Sequence, residues 1–137
     1  MPQIRNKCLK AKQYDLEERT FQFAKKCRDF IKKLPKNVAN FEDEKQLARS
    51  SGSVGANYIE GNDALGERDF LVKIKTSRRE AKETSYWLRL LTIPDNKELE
   101  SERQNLVQEA TEFVRIFSAM IRNFKTNQEE QTMAPIK

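Results

Sequence analysis

Apolar residues recur along the chain at spacings of three and four, the period of one face of an α-helix, and they divide into four stretches. Leu16, Thr20, Phe23, Cys27, Phe30 and Leu34 make the first face, behind Asp15 and Glu18 in the form of a capping box; Pro35 ends the run. Asn40 and Asp43 are a second cap-like pair, ahead of a stretch from Gln46 to Gly61 that needs separate treatment. After the turn NDALGERDF, Phe70, Ile74, Ser77, Ala81, Thr84, Leu88 and Leu91 mark a helix of roughly seven turns that stops before Pro94. Asp95 and Glu98 form another box-like pair, and Leu99, Leu106, Ala110, Phe113, Phe117, Met120 or Ile121, and Phe124 carry a fourth helix. Short connections between long amphipathic helices favour antiparallel neighbours, so the pattern predicts an all-α, antiparallel up-down-up-down four-helix bundle over residues 15–126. Residues 1–14 read as a basic N-terminal arm, and 127–137 as a polar, aperiodic tail expected to be disordered.

The stretch QLARSSGSVGANYIEG is rich in glycine and serine and looks like a loop, yet at 100° per residue it sorts into three faces. Leu47, Ser51, Val54 and Tyr58 form a core stripe; Ala48, Gly52, Gly55, Ala56 and Ile59 form a mostly small face; Arg49, Ser53, Asn57 and Glu60 form a polar line. A phosphate-binding loop would need GxxxxGK[ST], which is missing. Two glycines inside a helix cost roughly 1 kcal/mol each relative to alanine, and close approach of a neighbouring helix is the expected compensation. Gly61 is expected to end this helix in a left-handed conformation.

Composition narrows the chemistry. At 137 residues the chain has room for one core, and it carries no histidine. That removes the commonest general base and metal ligand, and with them a di-iron carboxylate bundle, helical ribonucleases using Arg and His, and Ser-His or Cys-His catalysis. Cys8 and Cys27 are too few and too widely spaced for a zinc site, so free thiols are expected, and no cofactor or metal is called for. No long apolar run or secretory-type segment is present, which points to a cytoplasmic protein. The net charge is +5 and the pI about 9.2, so contact with a polyanion is permitted; the surplus sits partly in Arg5, Lys7, Lys10 and Lys12 of the arm.

QLARSSGSVGANYIEG, the turn and RDF after it, and DLEERTFQFAKKCRDFIKKLP before it resemble the bacterial four-helix-bundle family known as the 23S rRNA intervening-sequence protein. The likeness runs from about Asp15 to Leu91, and Arg49, Ser53, Val54, Asn57, Glu60, Gly61 and Phe70 stand in the family's order and spacing. Tyr58 and Ile59 depart from the usual Ile-Ala pair, and Gly66 replaces a common capping Ser. The resemblance implies an antiparallel bundle assembled as a homopentamer, without enzymatic activity. It also implies kinship with accessory bundles of diversity-generating retroelements, which bind a reverse transcriptase and nucleic acid.

Three surfaces are candidates for function. Arg49, Ser53, Asn57 and Glu60 could form a solvated face, a ligand site, or a structural network between helices or subunits; Arg49 and Glu60 lie roughly 16 Å apart along the helix, too far to pair with each other. Lys75, Arg79, Lys82, Tyr86 and Arg89 make a basic line with an aromatic in it, suited to nucleic-acid phosphates and a stacked base; the plain alternative is a solvated face with Arg79 paired to Glu83. Val72, Thr76, Trp87 and Leu90 lie off the core stripe and point to an oligomer interface that includes Trp87 and Leu90, with Trp87 as its anchor; the plain alternative is that Trp87 widens the core stripe or covers a helix end. The expectation is a non-enzymatic homo-oligomer, a pentamer by the resemblance, that presents repeated basic faces to RNA or to a nucleoprotein, with RNA or DNA as the nucleic-acid partner. The alternative is a protein-interaction adaptor or accessory subunit that docks a partner protein without touching nucleic acid, and no membrane role is expected. An enzyme would have to use carboxylates such as Glu60 with Asp63 or Glu80.

Overall fold

The predicted stripes form the core of a four-helix bundle in the computed structural model, which describes the backbone of residues 2–133 and the side chains of 15–125. The helices are α1 (Pro2–Lys32), α2 (Val38–Asn62), α3 (Glu67–Leu90) and α4 (Lys97–Met133). Contacts run α1 to α2, α2 to α3, α3 to α4 and α4 back to α1, closing an up-down-up-down ring. The α2–α3 contact is the most extensive and α1–α4 the least. At the centre, Phe23 meets Phe113 edge-on at 5.3 Å between ring centroids, and Phe113 stacks on Phe117. Each is fully buried, so the aromatic column supplies much of the apolar area withdrawn from water. Arg19 of α1 closes the α1–α4 side with a two-pronged hydrogen bond to Glu109, at 2.9 and 2.6 Å.

The helix ends differ from those expected. α1 begins at Pro2, so Asp15 is interior and caps nothing; Lys7 to Tyr14 contain strong helix formers and no glycine or proline that would stop the helix there. The side chains of the basic arm, Arg5, Lys7, Lys10 and Lys12, lie outside the described residues. α4 likewise runs on to Met133, beyond the expected boundary at 126, through a segment without glycine or proline. The rest of the tail, 134–137, for which disorder is expected, lies outside the described residues.

Asn37, not Asn40, caps α2, its side chain accepting the Asn40 N–H at 2.8 Å. That leaves the Asn40 side chain to act in the interior, where its Nδ2 donates to the Thr92 carbonyl at 2.8 Å and its Oδ1 accepts the Thr92 N–H at 3.0 Å. The α3–α4 connection is pinned to α2 by this pair. Asn96, not Asp95, caps α4, accepting the N–H groups of Glu98 and Leu99. In both cases the asparagine directly before the first helical turn takes the position, where its side chain reaches the unpaired amides.

Gly61 does not end α2 in a left-handed conformation: the helix continues to Asn62, and no described residue has a positive φ. Gly61 is buried instead, and a Cβ there would lie 3.2 Å from Lys73 Cβ and 3.4 Å from Ile74 Cδ1. Close approach of α3 is its reason. Gly55 does the same toward α1, where a Cβ would come within 2.7 Å of Thr20 Oγ1, itself bonded to the carbonyls of Leu16 and Glu17. Gly52 faces only the movable guanidinium of Arg28, at 3.3 Å.

Gly55 and Gly52 therefore answer oppositely to a methyl group. In thermal unfolding, Gly55→Ala is expected to destabilise by about 1–3 kcal/mol through overpacking, and to recover in part when Thr20→Ala is added. Gly52→Ala should be neutral or stabilising by up to roughly 1 kcal/mol, because helix propensity is gained and only a side-chain tip must move. Asn40→Ala is expected to cost about 1–3 kcal/mol, since the Thr92 amide and carbonyl lose their partner.

Candidate nucleic-acid interface

Serine and threonine hydroxyls line the α2–α3 seam rather than packed hydrocarbon alone. Ser77 Oγ donates to the Val54 carbonyl at 3.0 Å, and the hydroxyls of Ser50 and Thr84 share a 2.9 Å hydrogen bond. Such small groups let the helices approach while these buried hydroxyls keep their partners. At the outer edge of the seam Arg49 reaches across to α3, with Nη1 3.3 Å from Glu80 Oε2 and Nη2 2.8 Å from Glu83 Oε2. Burial works against the cation, but the two carboxylates and their hydrogen bonds outweigh it and raise Arg49 above its ordinary value. Glu80 is almost wholly buried, and Arg49 gives this buried carboxylate a cation.

The rest of the polar line lies on the same seam. Glu60 pairs with Lys73 at 2.6 Å, Ser53 donates to the Arg49 carbonyl, and Asn57 donates to the Ser53 carbonyl. Arg49 and Glu60 thus bridge α2 to α3 separately, while Ser53 and Asn57 are tied to their own helix.

Lys75, Arg79, Lys82, Tyr86 and Arg89 are all exposed along the outward side of α3. Glu83 is not the partner of Arg79, because Arg49 holds it; Arg79 instead lies 3.8 Å from Glu80 Oε1. No carboxylate among the described residues is within ion-pair distance of Lys75, Lys82 or Arg89. From Lys75 to Arg89 the line spans about 21 Å of helix. Tyr86 is 56% exposed and meets Trp87 edge-on at 5.0 Å. A row of cations along one helix with one aromatic supported by its neighbour can neutralise successive phosphates and stack a base. Arg68, exposed at the start of α3, falls on the same line by helical period and was not singled out from the sequence. Its absence from the apolar stripe and its register with Lys75 are the signals that mark it.

Trp87 is half-buried and packs against the core, with its indole N–H buried and unpartnered, while Leu90 and Val72 are exposed. Trp87 therefore widens the core stripe on its buried side. Cys27 is buried and its thiol is pushed up to about 12 by that burial, which removes it as a nucleophile or ligand at neutral pH. Glu60 and Glu80 are each engaged by a cation, Lys73 and Arg49 respectively, and Asp63 caps the end of α2. Among the described residues no group of three or more acidic or cysteine side chains could hold a metal ion, and no helix is long and apolar enough to cross a membrane.

Residues 12–119 match the family model described as 23S rRNA-intervening sequence protein. No curated protein gives a match. Among solved structures, the chain is similar to a crystal structure of a protein with unknown function from the S23 ribosomal protein family of Bacteroides thetaiotaomicron. The two are 26% identical with a TM-score of 0.63, over 77% of this chain and 96% of that one. The family model matches most of the bundle, and the chain belongs to the 23S rRNA-intervening sequence protein family.

Proposed function

We propose that this protein is a non-enzymatic, oligomeric bundle that binds RNA through the outward face of α3, repeated around an assembly of subunits. The observation that carries this reading is the disposition of charge on α3. Between Phe70 and Arg89 its only carboxylates are Glu80 and Glu83, and Arg49 draws both toward α2. Lys75, Lys82 and Arg89 are left to face solvent without neutralising partners, which favours a polyanion. One such face on one chain is a weak site; several on a ring bind a long strand by multivalency, each contact raising the effective concentration for the next. A homopentamer of the kind the family resemblance implies would supply that repetition, in the cytoplasm. The non-enzymatic part of the proposal rests on the missing histidine and on the engagement of Glu60 and Glu80 in ion pairs.

The quadruple variant Lys75→Ala, Arg79→Ala, Lys82→Ala, Arg89→Ala tests it, with circular dichroism as the check on folding, since all four side chains are exposed. In titrations of a labelled RNA against salt, the log-log slope of the unmodified protein should become shallower by about 3 on losing four phosphate contacts to a single strand. An unchanged slope and affinity would contradict the reading and turn attention to a protein partner at the exposed Val72 and Leu90.

A further inference from the structure

The charge pattern of α3 continues onto α4. From Phe113 to Lys125 the chain contains no aspartate or glutamate, yet it carries Arg115, Arg122 and Lys125, all exposed. Antiparallel register sets them beside the α3 line. Phe70 packs on Phe124 with ring centroids 5.9 Å apart, and at the other end Arg103 donates to the Leu91 carbonyl at 2.6 Å. By that register Arg122 and Lys125 run alongside the first half of α3, near the levels of Arg68 and Lys75, and Arg115 runs near the level of Arg79.

Their side of α4 follows from its other contacts. Arg103 marks the direction of α3, and Glu109, bound to Arg19, marks the direction of α1. At 100° per residue, Arg122 and Lys125 fall on the Arg103 side and turned outward. Arg115 is held by Glu112 on its own helix at 2.9 Å, whereas no carboxylate among the described residues pairs with Arg122 or Lys125. Packed helices lie about 8–10 Å apart, so two cation rows flank one shallow seam.

We infer that α4 supplies the second half of the binding surface, and that the α3–α4 seam cradles a nucleic-acid backbone with Arg122 and Lys125 on one side and the α3 cations on the other. This rests on the reading that α3 binds RNA and extends it to residues of a second helix. The occupant is a phosphodiester backbone because both rows offer cations, and contacts to phosphate position a strand without reading its sequence. Binding through this seam is accordingly insensitive to base sequence.

The test uses the full chain and labelled poly(U) RNA, comparing Arg122→Ala, Lys125→Ala with a control of equal charge loss on α1, Lys25→Ala, Lys26→Ala. The α4 pair should make the log-log salt slope shallower by about 1.4, two single-strand phosphate contacts, while the α1 pair leaves it unchanged. Poly(U) and poly(A) should lose affinity alike in the α4 variant. Equal effects of the two pairs would overturn the inference by reducing it to net charge. An unchanged slope in the α4 pair, with the α3 quadruple variant still impaired, overturns it and leaves the α3 reading standing. A changed native mass in the α4 variant overturns it by assigning the seam to subunit contact. Absence of any salt-dependent affinity in the unmodified protein removes the α3 reading itself, and this inference with it.

Discussion

Arg49 decides where the negative charge of α3 goes. Glu80 is buried, and a buried carboxylate without a cation would carry a desolvation penalty of several kcal/mol. By gripping Glu80 and Glu83 together, Arg49 makes that burial tolerable and fastens the outer edge of the most extensive helix contact in the bundle. The same grip turns Glu83 and one oxygen of Glu80 toward α2, leaving only Glu80 Oε1, 3.8 Å from Arg79, on the side of the outward face. Structure and surface charge thus share one cause: the pairing that closes the α2–α3 seam also leaves α3 basic on its other side.

The seam that Arg49 closes is built for proximity. Gly61 admits Lys73 and Ile74, and Ser50, Ser77 and Thr84 exchange hydrogen bonds where larger side chains would hold the helices apart. Asn40 extends the arrangement to the α3–α4 connection by binding both backbone groups of Thr92. α3 is consequently held along its length by α2, and its register against α4 is set by Phe70 on Phe124 and Arg103 on Leu91. For the proposed RNA-binding face, this packing fixes the helix backbone from which the exposed cations project.

The core was legible from the sequence because its signal is periodic: Leu16, Phe23, Cys27 and Phe30, or Ile74, Ala81 and Leu88, can share a face in only one common structure, and all are buried. The glycine-rich stretch of α2 yielded to the same argument, since Leu47, Val54 and Tyr58 keep the period through it. Helix ends were less legible. Asp15, Asn40, Asp95 and Gly61 each have a residue type suited to a terminus, but neighbouring residues or packing decide which one is used, as Asn37 and Asn96 show. The exposure of the α3 basic line followed from its offset from the core stripe. The partner of Glu83 did not, because a sequence exposes neighbours four residues apart on one helix, such as Arg79, and hides a residue such as Arg49 on the next helix. The inferred place of α4 beside the α3 line needed the register between two helices, although its acid-free run from Phe113 to Lys125 is plain in the sequence.

Whether repeated basic faces on an assembly of these bundles engage RNA is tested most directly by the native mass. Light scattering would measure it with and without added RNA, at low and at moderate salt. The expected result is an oligomer whose mass rises with RNA at low salt and falls back as salt increases, because phosphate contacts are screened and counterions compete for them. A monomer whose mass ignores RNA at both salt concentrations would contradict it.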